Sequence, residues 1–375
     1  MRTEQNSNSA AVANSIFSAL SETPFACTSL TPLSGGITNH VFRGQLRNPL
    51  PDGTTEVAVK HGASSPPGYP GLELPIERSI LTPKLHHFSP TNRIQVQSYL
   101  PTAISLKHFA FKHFLPAPNF SPFSAHLDDA LLARKNLAHE LGRALGSWLR
   151  AFHAWANRPE EEEAVKLKEM VGRLSGKMAR LVLETTYGSL GQVVGEFRDI
   201  FEGDEVQEVL NEVRAFAERE MEQAEKVVHG DFWTGNILLP DQPIASNLST
   251  PVFLVDWESV RLGNPATDLG QMLAEMYELT LFEDIPEGRW LAEGLVSGYG
   301  FSQVDEGFIY RAALHCGVHF VVWGSRAAAG WESTKEKVSR VVREGKNLIW
   351  AAWRRERERV ESGEWGFLFD GRIDK

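Results

Sequence analysis

The sequence predicts an α+β chain of two lobes, a small antiparallel β-rich lobe followed by a larger, mainly helical one. Three observations carry this. The chain has 375 residues, more than one hydrophobic core usually organises. Between residues 26 and 100, short apolar runs alternate with turns rich in Pro, Gly and Asp. From residue 127 onward, apolar side chains recur at helical spacing.

In order along the chain, the polar opening MRTEQNSNSAAV reads as a disordered tail, and residues 1–25 as that tail plus a first helical segment. ACTSLTPLSGG leads into ITNHVFRGQL, then a turn at NPLPDGTT, then EVAVKHG, a pattern of β-rich runs joined by a tight turn. Residues 63–72, ASSPPGYPGL, read as a loop, ELPIERSILTPKL as a short helix, and RIQVQSYLP as a strand ended by Pro101. The lobe boundary falls there, with SYLP as the connection. The β-rich lobe is 26–100, the helical lobe 101–360, and 361–375 a C-terminal tail. Residues 127–156 read as one helix, and 160–225 as a helical stretch broken near Tyr187–Gly191. ILLP and VFLVDW are short strands within 237–257, with DQPIASNLST as a surface loop between them. Helices resume at Pro265 and run into the 350s. VSRVVREGKNLIWAAWRRERERV reads as one amphipathic helix with a solvated, charged end.

Composition narrows the function classes. The apolar fraction is 42%, ordinary for a globular protein, and most of the ten tryptophans and 21 phenylalanines belong to a core. A formal net charge of −10 argues against a general nucleic-acid binder, though it leaves a local basic cleft open. Cys27 and Cys316 make no disulfide or metal framework. Neither a secretory signal nor an apolar run of 18 residues is visible, so the expected compartment is the cytoplasm, with no membrane partner. Oligomeric state stays open.

Three stretches carry chemistry. In LSGGITNHVF, residues 33–42, Gly35 and Gly36 lie between strand-like segments, where they allow a tight turn and close approach of a phosphate to the backbone. Ser34 and Asn39 beside them can donate to phosphate oxygens or cap a plain hairpin turn. Lys60 ends the alternating strand EVAVK; it is either an exposed strand end or an ammonium that holds nucleotide phosphates. A helix carboxylate would then hold the lysine, with Glu77 the candidate and Glu73, one helical turn away, the alternative. In KVVHGDFWTGNILLP, Asp231 and Asn236 lie five residues apart, and Asp256 follows the strand VFLV. A carboxylate at the end of a buried strand needs a cation or donors, and Mg²⁺ prefers oxygen ligands. The Asp-x₄-Asn spacing matches a kinase catalytic loop.

On SGGITN, VAVK, HGDFWTGNIL and VDWESVRLGNPATDLG, the sequence resembles the aminoglycoside phosphotransferase and choline kinase superfamily of small-molecule kinases, which share the protein-kinase-like fold. The resemblance runs from about residue 28 to the 350s. It implies a nucleotide-binding lobe at 26–100, a catalytic and substrate lobe at 101–360, and ATP and Mg²⁺ as cofactors. Asp231 would be the catalytic base, and Asn236 and Asp256 the metal ligands. The phosphates would lie under Ser34, Gly35, Gly36, Thr38 and Asn39, with Lys60 on them and paired to Glu77. Gln97, Tyr99 and Leu100 would belong to the inter-lobe strand whose backbone reads adenine. His229 would support the catalytic loop, and Asp268 would brace the loop after the metal site. One departure is Asn264, in Gly263-Asn264-Pro265, where relatives often carry aspartate. Little loss of catalysis is expected from it.

The acceptor, a small-molecule hydroxyl, is not identified by sequence. A cationic amine would suit aromatic side chains, with Trp233, Trp257, Tyr277, Trp323 and Trp331 as candidates against the plainer reading of core. Glu258 reads as touching metal, substrate or only solvent. His315 and His319, at i,i+4, read as packing or hydrogen-bonding rather than a zinc site. Rival readings are a protein kinase, which would need DFG and APE signals that are absent here, a silent nucleotide-binding regulator, and an enzyme that transfers a nucleotidyl group.

Overall fold

The computed structural model describes residues 2–33, 39–62, 83–114, 127–244, 251–301, 304–326 and 334–370. The chain forms two compact units. The first comprises Met1–Ser105, Gly235–Asp241 and Thr250–Glu258; the second comprises Leu106–Thr234, Gln242–Ser249 and Ser259–Lys375.

The chain opens with α1 (Arg2–Leu20), helical where the sequence reading expects a disordered tail. The polar opening conceals a short apolar stripe. Val12, Ile16 and Leu20 recur every four residues and pack with Phe17 on the core of the first unit. Tertiary packing of that stripe carries a helix that propensity alone would not. Five antiparallel strands follow, β1 (Cys27–Pro32), β2 (Asn39–Leu46), β3 (Glu56–Gly62), β4 (Leu85–Ser89) and β5 (Ile94–Ser98), in the order β1-β2-β3-β5-β4. Phe42, Val57, Val59, Ile94 and Val96 point from one face into the core with Ile16 and Leu20. The β2–β3 turn is the expected Pro/Gly/Asp turn: Asp52 Oδ1 accepts from Thr54 N at 3.0 Å, and Gly53 takes φ +85°. β4 was not read from sequence. β6 (Ala103–Ser105) closes this stretch.

The second unit starts with α2 (Leu106–His113), α3 (Leu127–Ala156), α4 (Glu162–Thr186), α5 (Leu190–Glu196), α6 (Val206–Glu222) and the short β7 (Lys226–Val228). The helical stretch breaks at residues 187–189, within the predicted interval. β8 (Ile237–Pro240) and β9 (Phe253–Leu254) lie in the first unit, where they pair with β6 in the order β6-β8-β9. β10 (Arg261–Gly263) pairs antiparallel with β7 in the second unit. The remaining helices are α7 (Pro265–Glu283), α8 (Glu287–Tyr299), α9 (Glu306–Val322), α10 (Lys335–Trp353) and α11 (Arg357–Glu361). The predicted final helix is thus two helices, interrupted where Arg355 takes φ +55°. Trp365, Phe367, Leu368 and Phe369 beyond it are buried. No helix among the described residues is long and apolar enough to cross a membrane.

Two features position the second unit's chemistry. α3 packs on α8 through facing glycines: a Cβ on Gly146 would meet Leu295 O at 2.1 Å, and one on Gly298 would meet Arg143 O at 2.0 Å. α7 starts sharply because Asn264 Oδ1 accepts from Ala266 N at 3.0 Å while Pro265 supplies a pre-set first turn.

Candidate active site

The first unit holds one half of the predicted chemistry. Lys60 lies on β3 opposite Val41 of β2 and Gln95 of β5, so its neighbours on both sides are fixed by the sheet. Its ammonium donates to Asp256 Oδ1 and, at 2.6 Å, to Glu258 Oε2. Burial works against the charge, and Asp256 and Glu258 outweigh it, so the lysine is held above its ordinary value. Glu258, left open between metal, substrate and solvent, is buried against Lys60. Pairing of Ile237 with Leu254 sets the two ends of the β8–β9 ladder side by side. Val255 N donates to Asn236 O at 3.0 Å, which brings the backbone of Asn236 next to that of Asp256. Asp256 has φ +71°, a left-handed conformation that aspartate tolerates better than most residues and that recurs at functional sites.

Oxygen donors on Asp256, Glu258 and Asn236 are the type a magnesium ion takes. Two carboxylates share one ammonium here, so negative charge is in excess and the residues fit a divalent cation. Gln97 donates to Gln95 Oε1 at 2.9 Å, Tyr99 lies under the Arg43 guanidinium, and Leu100 O accepts from Ala103 N at 3.3 Å. Asn39 opens β2 opposite Gly62. Ser34, Gly35, Gly36, Thr38, Glu73 and Glu77 lie outside the described residues.

The other half is in the second unit. After β7 the chain turns through His229, Gly230 and Asp231. Gly230 takes φ +83°, and a Cβ there would meet Arg261 Nη1 at 2.0 Å and Ser259 O at 2.2 Å, so the turn requires glycine. Asp268, in the first turn of α7, grips this loop. Its carboxylate accepts from His229 N at 2.8 Å and Gly230 N at 2.9 Å, and bonds His153 Nε2 at 3.0 Å. Burial opposes its charge, but His153, His229 and the Gly230 amide hold the carboxyl below its usual range. The sequence reading placed this brace after the metal site; here the carboxylate holds the turn just before Asp231. His229 Nδ1 accepts from Asp231 N at 3.3 Å, a supporting position. Asp231 Oδ1 accepts from Gln271 Nε2 at 2.8 Å.

Gln271 was missed in the sequence, as were the carboxylates beyond it. Glu275 Oε1 bonds His319 Nε2 at 3.1 Å, and Glu275 Oε2 accepts from Thr234 Oγ1 at 3.3 Å. Glu278 and Lys107 are buried nearby. Burial and the neighbouring Glu275 push the Glu278 carboxyl well above its ordinary value, so it keeps its proton. Burial lowers Lys107 against the pull of Glu275, Glu278 and Glu283. Among the described residues, Glu275, Glu278 and His319 also form one group able to hold a metal ion, separate from the predicted ligands. A usable signal was present: Asp268, Gln271, Glu275 and Glu278 recur at helical spacing along TDLGQMLAEMYELTLFE, a polar stripe on a helix that is otherwise buried.

The aromatic candidates divide. Trp233 is half-buried, two residues after Asp231. Trp257 is buried in the first unit. Tyr277 is core: it packs on Trp365 at 4.6 Å between ring centres and donates to Glu364 Oε2 at 3.0 Å. Trp323 is 38% exposed, under the Arg326 guanidinium. Trp331 lies outside the described residues. His315 and His319 are buried and hydrogen-bonded, to the Tyr187 hydroxyl and to Glu275.

Residues 101–306 match the model of the phosphotransferase enzyme family. Similar proteins include phosphotransferase FrzJ of a Cladobotryum species, 26% identical over 96% of each chain. A 4-hydroxytryptamine kinase of Psilocybe cyanescens is 24% identical over 81% of this chain and 83% of its own. Among solved structures, an ethanolamine kinase of Plasmodium vivax aligns with a TM-score of 0.48 and 11% identity, over 88% of this chain and 83% of that one. The family match spans the loop carrying Asp231, the Asp256 strand and the brace at Asp268, and this chain belongs to the phosphotransferase enzyme family.

Proposed function

We propose that this phosphotransferase moves the γ-phosphoryl group of ATP to a hydroxyl of a small cationic amine. One observation carries the choice of acceptor. The α7 face that holds Asp231 through Gln271 continues, one and two turns on, into the buried carboxylates Glu275 and Glu278. With Glu278 protonated, the carboxylates of Glu275 and Glu283 still act on the single ammonium of Lys107. That surplus of negative charge favours a positively charged ligand. Supporting this, relatives named for 4-hydroxytryptamine are named for a molecule with both a hydroxyl and an amine.

In this reading Asp231, oriented by Gln271, accepts the proton of the acceptor hydroxyl. The oxygen forms its bond to the γ-phosphorus as the bond to the bridging oxygen breaks, and ADP leaves with the electron pair. Lys60 neutralises phosphate charge. Asn236 and Asp256 would hold Mg²⁺, which supplies further charge neutralisation at the phosphates. Most of the acceleration comes from positioning and electrostatics.

The test is ATP consumption with Mg²⁺ against hydroxylated amines, neutral sugars and aminoglycosides, with Asp231→Asn and Glu275→Gln beside the wild type. Stimulation by an amine is expected. Asp231→Asn should cut turnover about 10²–10⁴-fold while nucleotide binding persists. Glu275→Gln should raise KM for the amine more than it lowers kcat. Stimulation by neutral sugars alone would overturn the amine assignment. Undiminished turnover in Asp231→Asn would overturn the base.

A further inference from the structure

Arg261 opens β10 opposite Val228, the last residue of β7, and its buried side chain reaches the turn that follows β7. Its Nη1 donates to two backbone carbonyls, Gly230 O at 2.9 Å and Ser259 O at 3.3 Å. Gly230 is thereby held on both sides, because Asp268 accepts from Gly230 N at 2.9 Å. The peptide unit that joins Gly230 to Asp231 is fixed at both of its polar atoms. Arg261 holds the carbonyl, and the Asp231 N–H donates to His229 Nδ1 at 3.3 Å. A glycine at φ +83° is where a peptide plane turns over most readily, since no Cβ stands in the way. A carbonyl swung away from Arg261 would re-aim Asp231. Burial lowers Arg261 from its ordinary value, against the pull of Asp268 on α7, Asp231 itself, Tyr187 and Glu220. His315 on α9 adds no charge, because burial and the nearby guanidiniums keep its imidazole neutral. An arginine keeps its proton in proteins, so a full positive charge stands among these carboxylates.

We propose that Arg261 is the positioning residue for Asp231, its guanidinium pinning the Gly230–Asp231 peptide plane in the orientation that presents the carboxylate. This rests on the phosphotransfer reading, in which Asp231 is the base. The guanidinium acts in a second way through its charge, which favours the ionised carboxyl that a base requires. An arginine that only tied β10 to β7 would act on folding and leave the orientation and charge of Asp231 alone. Two substitutions separate these roles. Lysine keeps the charge but has a shorter chain and lacks the planar fork, so it falls short of Gly230 O. Methionine keeps an apolar stem and loses both the charge and the donor.

Hydrogen exchange on the full chain tests the pin without any substrate. In Arg261→Lys and Arg261→Met, residues 227–234 should exchange about tenfold faster than in wild type, while α8 and α10 keep their rates. Turnover is then measured with Mg²⁺, ATP and the amine that stimulates ATP consumption. Both variants should lose kcat, Arg261→Met by about 10²-fold, with KM for ATP and amine unchanged. Without the guanidinium's charge Asp231 takes up its proton at higher pH. The acidic limb of the kcat profile should therefore move to higher pH in Arg261→Met and stay in place in Arg261→Lys. If Arg261→Met does not fold, Arg261→Lys carries the test through exchange and kcat. Wild-type exchange at 227–234 in a folded variant would overturn the proposal. So would a loss confined to KM, or a limb that stays at its wild-type pH in Arg261→Met. A chain that no acceptor stimulates would sink the phosphotransfer reading instead, and exchange at 227–234 would still decide whether Arg261 holds the turn.

Discussion

At the scale of the residue, Glu275 and Glu278 show how one helix face sets two carboxyls apart. Glu275 is bonded to His319 and Thr234, and those partners with Lys107 overcome burial and hold it below its ordinary value. Glu278 lacks comparable donors: its Oε1 is buried with no hydrogen-bond partner among the described residues, and its carboxyl stays protonated. The consequence for stability has a definite sign. Below the ordinary carboxyl value of 4.5, folded and unfolded chains both carry the Glu278 proton and the group contributes nothing. Above it, the unfolded chain ionises while the folded chain does not, so stability falls as pH rises toward the elevated folded value. Glu278→Gln removes this loss. The variant should melt higher than wild type at pH 7–8, with the advantage shrinking toward pH 4, as followed by melting temperature across that range.

At the scale of the element, the same glycine-to-alanine change should act in opposite directions on two helices. Gly146 of α3 lies against α8, where a Cβ would be 2.1 Å from a backbone oxygen that cannot move alone. Gly146→Ala should cost about 1–3 kcal/mol, the range for overpacking. Gly176 of α4 has nothing within 4 Å of a Cβ, so Gly176→Ala should stabilise by about 0.5–1 kcal/mol through helix propensity. Chemical denaturation of both variants checks the pair. The contrast also marks the limit of what sequence conveys. Helix α3 was legible to the residue, because thirty positions of apolar periodicity over-determine it. The turn at Gly230 was marked in the sequence because the residues that make it, HGD, are contiguous. The face of α3 that meets α8 was not legible, because a glycine in a helix reads as a weakness until its partner is known. The strands β7 and β10, three residues each, exist through their pairing and carry no period of their own. The role of Gln271 was hidden for a similar reason: its spacing from Asp268 was visible, but the contact with Asp231 depends on the fold.

At the scale of the whole molecule, a chain of net charge −10 concentrates carboxylates around Lys60, where the proposed reading puts the phosphates of ATP, and this arrangement calls for cations. In the first unit Lys60 is shared by Asp256 and Glu258, an assembly with one negative charge in excess. ATP alone would add to that excess and compete with the carboxylates for the lysine. Magnesium with ATP would offset it. Stabilisation of the folded chain by nucleotide should therefore depend on the metal. At a hundredfold excess over its dissociation constant, a ligand specific to the folded state contributes about 2.7 kcal/mol, or about 3–5 °C in melting temperature for a chain of this size. Mg²⁺ with ATP should reach this shift, and ATP with EDTA should give little of it. Asp256→Asn provides the control, because asparagine tolerates the left-handed backbone at φ +71° while removing the charge. That variant should fold, lose most of the metal-dependent shift and lose turnover together. A full shift retained in Asp256→Asn would remove Asp256 from the metal site and leave Glu258, the second carboxylate on Lys60, as the residue to test in its place.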